Sequence, residues 1–161
     1  MESLAALGSV VGCLLKERKQ TLVVAESSAG GLINAALVAV PGASAYYLGG
    51  AIVYTVAGRT ALLGLSAQDT LNIRSATEPF AQLLARRVRD NFGATWGLSE
   101  TGASGPSGNR YGDPPGRACI AVCGPIETMT TVETGSADRE ANMWAFARKA
   151  LELLEACLRK V

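Results

Sequence analysis

The sequence predicts an α/β fold in which helices cover both faces of a mixed β-sheet within a single domain, residues 1–161. Segments with helical apolar spacing alternate with short apolar runs that suit strands. Helices and strands in such an order bury their apolar faces when the helices pack on both sides of one sheet. The 161 residues, of which 48% are apolar, are enough to build one sizeable core.

The first half of the chain begins with an amphipathic helix that ends in a run of cations. Its apolar stripe and the cations after it are Leu4, Leu7, Val10, Val11, Leu14, Leu15, and then Lys16 to Lys19. The elements predicted next are a strand over 21–25, a helix from about Gly30 to just before Pro41, a strand over 50–55 and a short helix near 56–63.

The second half opens with a clear helix start, because Thr77 is a typical N-cap and Pro79 suits the first helical turn. That helix is predicted to end near Gly93. The elements after it are a strand over 94–99, a loop over 100–116, a hairpin of strands 117–123 and 127–133, and a helix from about Asp138. The apolar stripe of this last helix is Trp144, Ala147, Leu151, Leu154 and Leu158.

Composition and charge argue against several classes of function. The formal net charge is +1 and there is no extended basic block, so nucleic-acid binding is not expected. No apolar stretch approaches the roughly 20 residues that span a bilayer, and the amphipathic N-terminus does not resemble a signal peptide. We therefore expect a cytoplasmic protein that does not associate with membranes.

The four cysteines, Cys13, Cys119, Cys123 and Cys157, do not follow known metal-binding spacings. The chain has no histidine, so a zinc site would need four thiolates or help from carboxylates. We expect buried, reduced thiols, no bound metal and no cofactor.

The most informative segment is the Glu-Ser-Ser-Ala-Gly-Gly run at residues 26–31, directly after the first strand. It predicts a tight turn into a helix N-terminus, with glycines that allow a substrate to approach the backbone. One serine can cap that helix, or a serine can be a nucleophile with turn N–H groups as its oxyanion hole. Glu26 can bind a ribose hydroxyl or accept hydrogen bonds from turn N–H groups.

Without histidine, a base for such a serine has to be a lysine, a tyrosine, a carboxylate or a bound water. All four lysines fall on the two terminal helices, and none is an obvious partner of the turn: Lys16, Lys19, Lys149 and Lys160.

A second candidate segment is Thr-Gly-Ala-Ser-Gly-Pro at residues 101–106, which follows the third predicted strand. N–H groups and hydroxyls at a strand end are typical of ligand sites in α/β proteins. The segment matches neither a P-loop nor the dinucleotide fingerprint. An ordinary surface loop is the alternative, but the length of the predicted loop favours ligand binding.

Together, three segments resemble the CinA C-terminal domain family, and the similarity covers nearly the whole chain. The family's Ala-Glu-Ser-Cys-Thr-Gly-Gly is similar to residues 25–31, its Pro-Gly-Ser-Ser-Ala to 41–45, and its Thr-Gly-Ile-Ala-Gly-Pro to 101–106. The resemblance implies a three-layer α/β/α sandwich with a mixed sheet. It also implies a nicotinamide-nucleotide amidase, which hydrolyses the carboxamide of nicotinamide mononucleotide to nicotinate mononucleotide and ammonia.

Transferred position by position, the resemblance implies Ser27 as the nucleophile, Tyr54 as an assisting group, and Arg59 in place of a lysine thought to activate the serine. A guanidinium cannot act as a base, although it can bind a phosphate or stabilise an oxyanion. The substrate-binding residues expected from the motifs and from the start of the last helix are Glu26, Ser28, Gly30, Gly31, Thr101, Gly102, Ser104, Gly105 and Arg139.

The chain departs from the family pattern around this site, where Ala29, Val56 and Met143 replace a threonine, an asparagine and an arginine. Two functions therefore stay open: an amidase of nicotinamide mononucleotide or a related amide, and a nucleotide-binding pocket with impaired catalysis. A third, a protein-interaction role, has no direct support in the sequence. In either of the first two, the expected partner is a small-molecule pyridine nucleotide, and the resemblance implies that copies of the chain can form a homo-oligomer.

Overall fold

A five-stranded sheet divides the molecule into layers in the computed structural model, which describes residues 3–161. Its strands are β1 (Leu22–Glu26), β2 (Tyr47–Ile52), β3 (Trp96–Ala103), β4 (Arg117–Cys123) and β5 (Thr128–Glu133). Their order in the sheet is β2-β1-β3-β4-β5. β1 runs parallel to both of its neighbours, whereas β3, β4 and β5 alternate in direction. The predicted mixed sheet is confirmed.

Helices cover both faces of the sheet, which confirms the three-layer α/β/α sandwich. They are α1 (Leu4–Arg18), α2 (Leu32–Val38), α3 (Val56–Leu63), α4 (Glu78–Phe92) and α5 (Arg139–Leu158), with a 3₁₀ turn at Ala43–Ala45. α1, α2 and α5 share one apolar cluster with one face of the sheet, while α3 and α4 pack on the opposite face. Within residues 3–161, every helix is too short or too polar to cross a bilayer.

Local capping explains why the limits of α4 were predictable. The Thr77 hydroxyl accepts a hydrogen bond from the Phe80 N–H at 3.3 Å, and Gly93 ends the helix in the left-handed conformation with φ +62°. A hydroxyl at the N-cap and a glycine after the last turn satisfy backbone groups that the helix itself leaves unpaired. Asp138 caps α5 in the same way, accepting from the Ala141 N–H at 3.0 Å.

The predicted loop over 100–116 is wrong at its start, because β3 continues to Ala103. The extension is held by antiparallel pairing, in which Thr101, Gly102 and Ala103 face residues of β4. A Cβ on Gly102 would lie 2.5 Å from the Arg117 carbonyl oxygen, so glycine permits the close approach of the two strands. The loop that remains, 104–116, leaves the end of a strand that is longer than predicted.

Three further expectations are corrected. β2 covers 47–52 rather than 50–55, since the Thr55 hydroxyl caps α3 and ends the extended chain. Trp144 was placed on the apolar stripe of α5, but it is 48% exposed and lines an open groove beside β5 instead of packing in the core. Cys13 is an exposed thiol, whereas the other three cysteines are buried and free.

Candidate functional site

The predicted site residues come from elements that end at one edge of the sheet. β1, β2 and β3 are mutually parallel, so the segments after their carboxyl ends lie side by side. After β1 comes the serine turn, defined here as residues 27–31. The segment after β2 carries Tyr54, and β3 ends in Thr101 and Gly102 before the loop over 104–116.

A cavity of about 350 Å³, here called the Ser27 cavity, brings five predicted residues together. These are Ser27, Tyr54, Arg59, Thr101 and Gly102. Its wall also contains residues that the sequence did not suggest, among them Ser75, Asn109, Arg110 and Tyr111. Two arginines and several hydroxyls line this cavity, and none of its lining residues is acidic. This chemistry suits an anionic ligand.

A smaller cavity of about 210 Å³, here called the Ser28 cavity, lies next to the first. It is lined by Ser28, Ser104, Gly105 and Arg139, all of which were predicted to bind substrate. Tyr54, Gly102 and Asn109 line both cavities, so the two form one continuous site. A wider groove of about 650 Å³ lies beside β5 and α5, but none of the predicted residues lines it.

Arg59 is directed into the protein rather than into solvent. Its guanidinium lies over the Phe80 ring, 4.6 Å from the ring centre, and its Nη1 donates to the Ser75 hydroxyl at 2.8 Å. Its Nε is buried and has no hydrogen-bond partner among residues 3–161. Burial lowers the pKa of Arg59, but a guanidinium starts from so high a pKa that it stays charged. Arg59 therefore supplies a fixed cation to the Ser27 cavity and cannot accept a proton there.

Tyr54 and Arg139 form a bridge over the site. Nη2 of Arg139 donates to the Tyr54 hydroxyl oxygen at 2.8 Å, and its Nη1 donates to the Gly105 carbonyl. Because Tyr54 accepts here, its own O–H proton is available to another group. The bridge thus joins the start of α5 to the segment after β2, with a free phenolic donor at the site.

The loop over 104–116 is shaped by its own polar side chains. Asn109 accepts from the Tyr111 N–H at 3.0 Å and donates to Asp113 at 2.7 Å. Asp113 in turn pairs with Arg74 at 2.7 Å and with Arg117 at 3.5 Å. These contacts hold the loop beside the Ser27 cavity, where Tyr111 forms part of the wall.

The most important residue that the sequence reasoning missed is Glu100, a fully buried carboxylate on β3. Its Oε2 accepts from the N–H groups of Ser27 at 3.1 Å and Ala29 at 2.8 Å. Its Oε1 accepts from the Ser28 hydroxyl. Burial raises the pKa of Glu100 to about 7, despite the hydrogen bonds that favour the charged form. An acidic residue inside the apolar strand next to the second motif was the available signal.

Glu100 changes the picture of the serine turn. The amides of Ser27 and Ala29 donate to the carboxylate, so they are not free to form the oxyanion hole that the sequence suggested. Ser28 is the serine whose hydroxyl contacts a carboxylate, while Ser27 lines the cavity with the two arginines. The two neighbouring hydroxyls therefore have different surroundings.

Glu26, Gly30 and Gly31 do not line either cavity. The Glu26 carboxylate accepts from the Asn34 N–H at 2.9 Å and from the Asn34 side-chain amide at 2.6 Å, and burial raises its pKa. Both glycines have positive φ, and a Cβ on Gly30 would lie 2.6 Å from Met143. These glycines shape the turn and its packing, and Glu26 binds the start of α2.

The same site offers no cluster of metal ligands. Within residues 3–161, no three side chains of His, Cys, Asp or Glu are placed to hold one ion together. The groups that meet at the two cavities are hydroxyls, guanidinium groups, two phenols, the Asn109 side chain and backbone amides. They can bind an anion, orient a carbonyl group and deliver a nucleophilic hydroxyl.

Comparison with known proteins agrees with the fold. A competence-damaged protein (CinA) superfamily protein from Klebsiella pneumoniae 700603 superposes with a TM-score of 0.91 at 24% identity, covering 99% of this chain and 100% of the other. The competence/damage inducible protein CihA from Agrobacterium tumefaciens has a TM-score of 0.88 at 24% identity, covering 99% and 97%. At this identity the likeness establishes a shared fold.

Sequence relatives are closer. A CinA-like protein from Prochlorococcus marinus (strain MIT 9313) is 42% identical over 120 residues, which is 74% of this chain and 28% of the relative. One from Gloeothece citriformis (strain PCC 7424) is 40% identical over 151 residues, or 94% of this chain and 35% of the relative. The chain thus spans about a third of the length of these relatives. The family description "CinA C-terminal domain" matches residues 4–158, and the chain belongs to this family.

Proposed function

We propose that the protein is a serine amidohydrolase that acts on the carboxamide of nicotinamide mononucleotide or a related amide, with Ser27 as the nucleophile. One observation carries the proposal: the Ser27 cavity joins a serine hydroxyl, two arginines and no acidic side chain in one space. A substrate with a phosphate group suits the two guanidinium groups. The resemblance of the serine turn to the family's nucleophile motif supplies the amide chemistry.

In this proposal each predicted catalytic residue has a separate task. The Ser27 oxygen attacks the carboxamide carbon while its proton passes through a bound water to the leaving nitrogen; the C–N bond breaks, ammonia leaves, and a second water hydrolyses the acyl-enzyme and restores the Ser27 hydroxyl. Arg59 stabilises the oxyanion without taking part in proton transfer. Tyr54, whose oxygen accepts from Arg139, donates an O–H hydrogen bond to the oxyanion and keeps its proton. The substrate phosphate binds Arg110, the other guanidinium group that lines the Ser27 cavity.

Release of ammonia from nicotinamide mononucleotide tests this proposal. We expect turnover by the wild-type chain and a loss of about 10³-fold or more in Ser27→Ala, because the attacking atom is gone. Ser9→Ala is the matched control, since its hydroxyl lies on the exposed side of α1. Turnover that survives in Ser27→Ala, or a wild-type chain without turnover, contradicts the proposal.

A second candidate, binding of a pyridine nucleotide without efficient hydrolysis, is favoured by the cation at Arg59. No side chain with an accessible basic nitrogen lines either cavity, so proton removal from Ser27 has no evident partner. Calorimetry with nicotinamide mononucleotide distinguishes the two candidates: binding without ammonia release supports this one. Under it, Arg59→Lys is expected to gain turnover, because a desolvated amine can lose its proton.

We also propose, from the resemblance and the composition, that the chain is cytoplasmic and that its copies associate. Cell fractionation and light scattering of the purified chain test these two points.

A further inference from the structure

Glu100 divides its two oxygens between two kinds of donor. Oε2 accepts two backbone amides, from Ser27 at 3.1 Å and Ala29 at 2.8 Å, and these donors cannot be reversed. Oε1 contacts the Ser28 hydroxyl, which can act as donor or as acceptor. The direction of this one hydrogen bond therefore depends on whether Glu100 carries a proton.

Counting donors gives two defined arrangements. When Glu100 is ionised it only accepts, so the Ser28 proton points at Oε1 and the lone pairs of Ser28 are left for the Ser28 cavity. When Glu100 is protonated, the proton resides on Oε1, because Oε2 already accepts two amides. The Ser28 oxygen then accepts from Glu100, and its own proton is free to be donated into the cavity.

We propose that Glu100 determines which ligand group Ser28 recognises: an N–H donor such as a carboxamide when Glu100 is ionised, and a carboxylate when it is protonated. Ser28 and Glu100 together are thus a specificity-determining pair that distinguishes an amide from the acid formed by its hydrolysis. The identity of the ligand rests on the proposed function, whereas the direction of the Ser28 hydroxyl rests only on the hydrogen bonds of Glu100.

Both arrangements are accessible near neutral pH, since burial raises the pKa of Glu100 to about 7. The nearby charge that acts on it in the same direction is Glu26 on β1. On α5, Arg139 lines the Ser28 cavity but donates to Tyr54 and the Gly105 carbonyl. As the pH rises and Glu100 loses its proton, Ser28 favours the amide and disfavours the acid.

Calorimetry with nicotinamide mononucleotide and nicotinate mononucleotide tests this directly, in chains that also carry Ser27→Ala so that the amide is not hydrolysed during the titration. The two ligands share their phosphate, so its titration cancels in the ratio of their Kd values. With Glu100 and Ser28 intact we expect this ratio to move about tenfold toward the amide between about pH 6 and pH 8, as one hydrogen bond changes from unfavourable to favourable.

Two variants isolate the cause. In Glu100→Gln the side-chain oxygen keeps the two amides and the NH₂ group donates to Ser28 at every pH, so the ratio should be independent of pH and shifted toward the acid. In Ser28→Ala the ratio should also be flat, because the reversible hydroxyl is absent. The proposal is overturned by a ratio that does not change with pH while Glu100 and Ser28 are intact, or by a Glu100→Gln ratio that at pH 8 equals the ratio with Glu100 intact.

A readout without nucleotide separates this proposal from the proposed function. We expect the ¹³Cδ resonance of Glu100 to titrate near pH 7 in the wild-type chain, and at higher pH in Ser28→Ala, which removes a donor to the charged form. If neither mononucleotide binds, the proposed function fails, but this titration still tests the hydrogen bond between Glu100 and Ser28. A Glu100 titration midpoint that is unchanged in Ser28→Ala overturns the proposed coupling of Glu100 to Ser28.

Discussion

Glu26 and Glu100 lie at the same edge of the sheet, on the neighbouring strands β1 and β3. Both carboxylates are fully buried. Glu26 accepts from backbone and side-chain N–H groups at the start of α2, so all its partners are structural. Glu100 accepts from the serine turn, including a hydroxyl that lines a cavity. The donors around a buried carboxylate, more than its burial, therefore separate a structural role from a role at the site.

The largest effect is expected from removing the structural carboxylate. Glu26→Ala leaves the Ile33 and Asn34 amides without their acceptor inside the protein and should lower the free energy of unfolding by about 4 kcal/mol. Urea unfolding measures the change, and Glu17→Ala is the control because Glu17 is exposed. A loss below about 1 kcal/mol would contradict the structural role of Glu26.

The second prediction uses the pH dependence of stability to set Glu100 apart from an ordinary carboxylate. The pKa of Glu100 in the folded protein, about 7, lies above the pKa of a glutamate in an unfolded chain. Its contribution to the free energy of unfolding is therefore favourable at low pH and is lost as the pH rises through 7. Glutamine does not titrate. The free energy of unfolding of Glu100→Gln, relative to that of the wild-type chain, should therefore increase by about 3 kcal/mol between about pH 4 and pH 8.5.

Urea unfolding of both proteins at several pH values checks this second prediction. Glu133→Gln is the control, because it makes the same substitution at a side chain that is 65% exposed on β5. A constant difference between wild type and Glu100→Gln across this range would mean that Glu100 ionises normally.

The smallest effect is expected at the side chain that supports Glu26. Asn34 donates to Glu26 at 2.6 Å and accepts from the Tyr47 hydroxyl, whose pKa burial raises to about 12. Asn34→Ala should lower the free energy of unfolding by only about 1–2 kcal/mol, because the main-chain amide of residue 34 still donates to Glu26. Thermal unfolding measures this loss against Gln68→Ala, an exposed control. A loss as large as that of Glu26→Ala would show that the side chain, not the backbone, holds the carboxylate.

Much of the fold was predictable because its signals are local. Thr77 and Gly93 mark α4 through hydrogen bonds within a few residues, and the hairpin of β4 and β5 closes around Gly124-Pro125. Where contacts with distant residues decide, the prediction failed: β3 extends to Ala103 because β4 pairs with it. The spacing of α5 placed Trp144 on the core side, but in the folded protein it is 48% exposed and lines the groove beside β5.

The site divides in the same way. The serine turn and the segment after β3 were predicted from short runs whose chemistry is visible residue by residue, whereas Tyr54 and Arg59 were predicted from the resemblance to the family. Only the folded protein brings Glu100 within hydrogen-bond distance of Ser28, across 72 positions of sequence. The folded protein likewise determines that Glu26 accepts from the start of α2 and that Arg59 lines the Ser27 cavity. Hydrogen-bond partners and burial are set by strand order, and strand order depends on contacts that no local pattern contains.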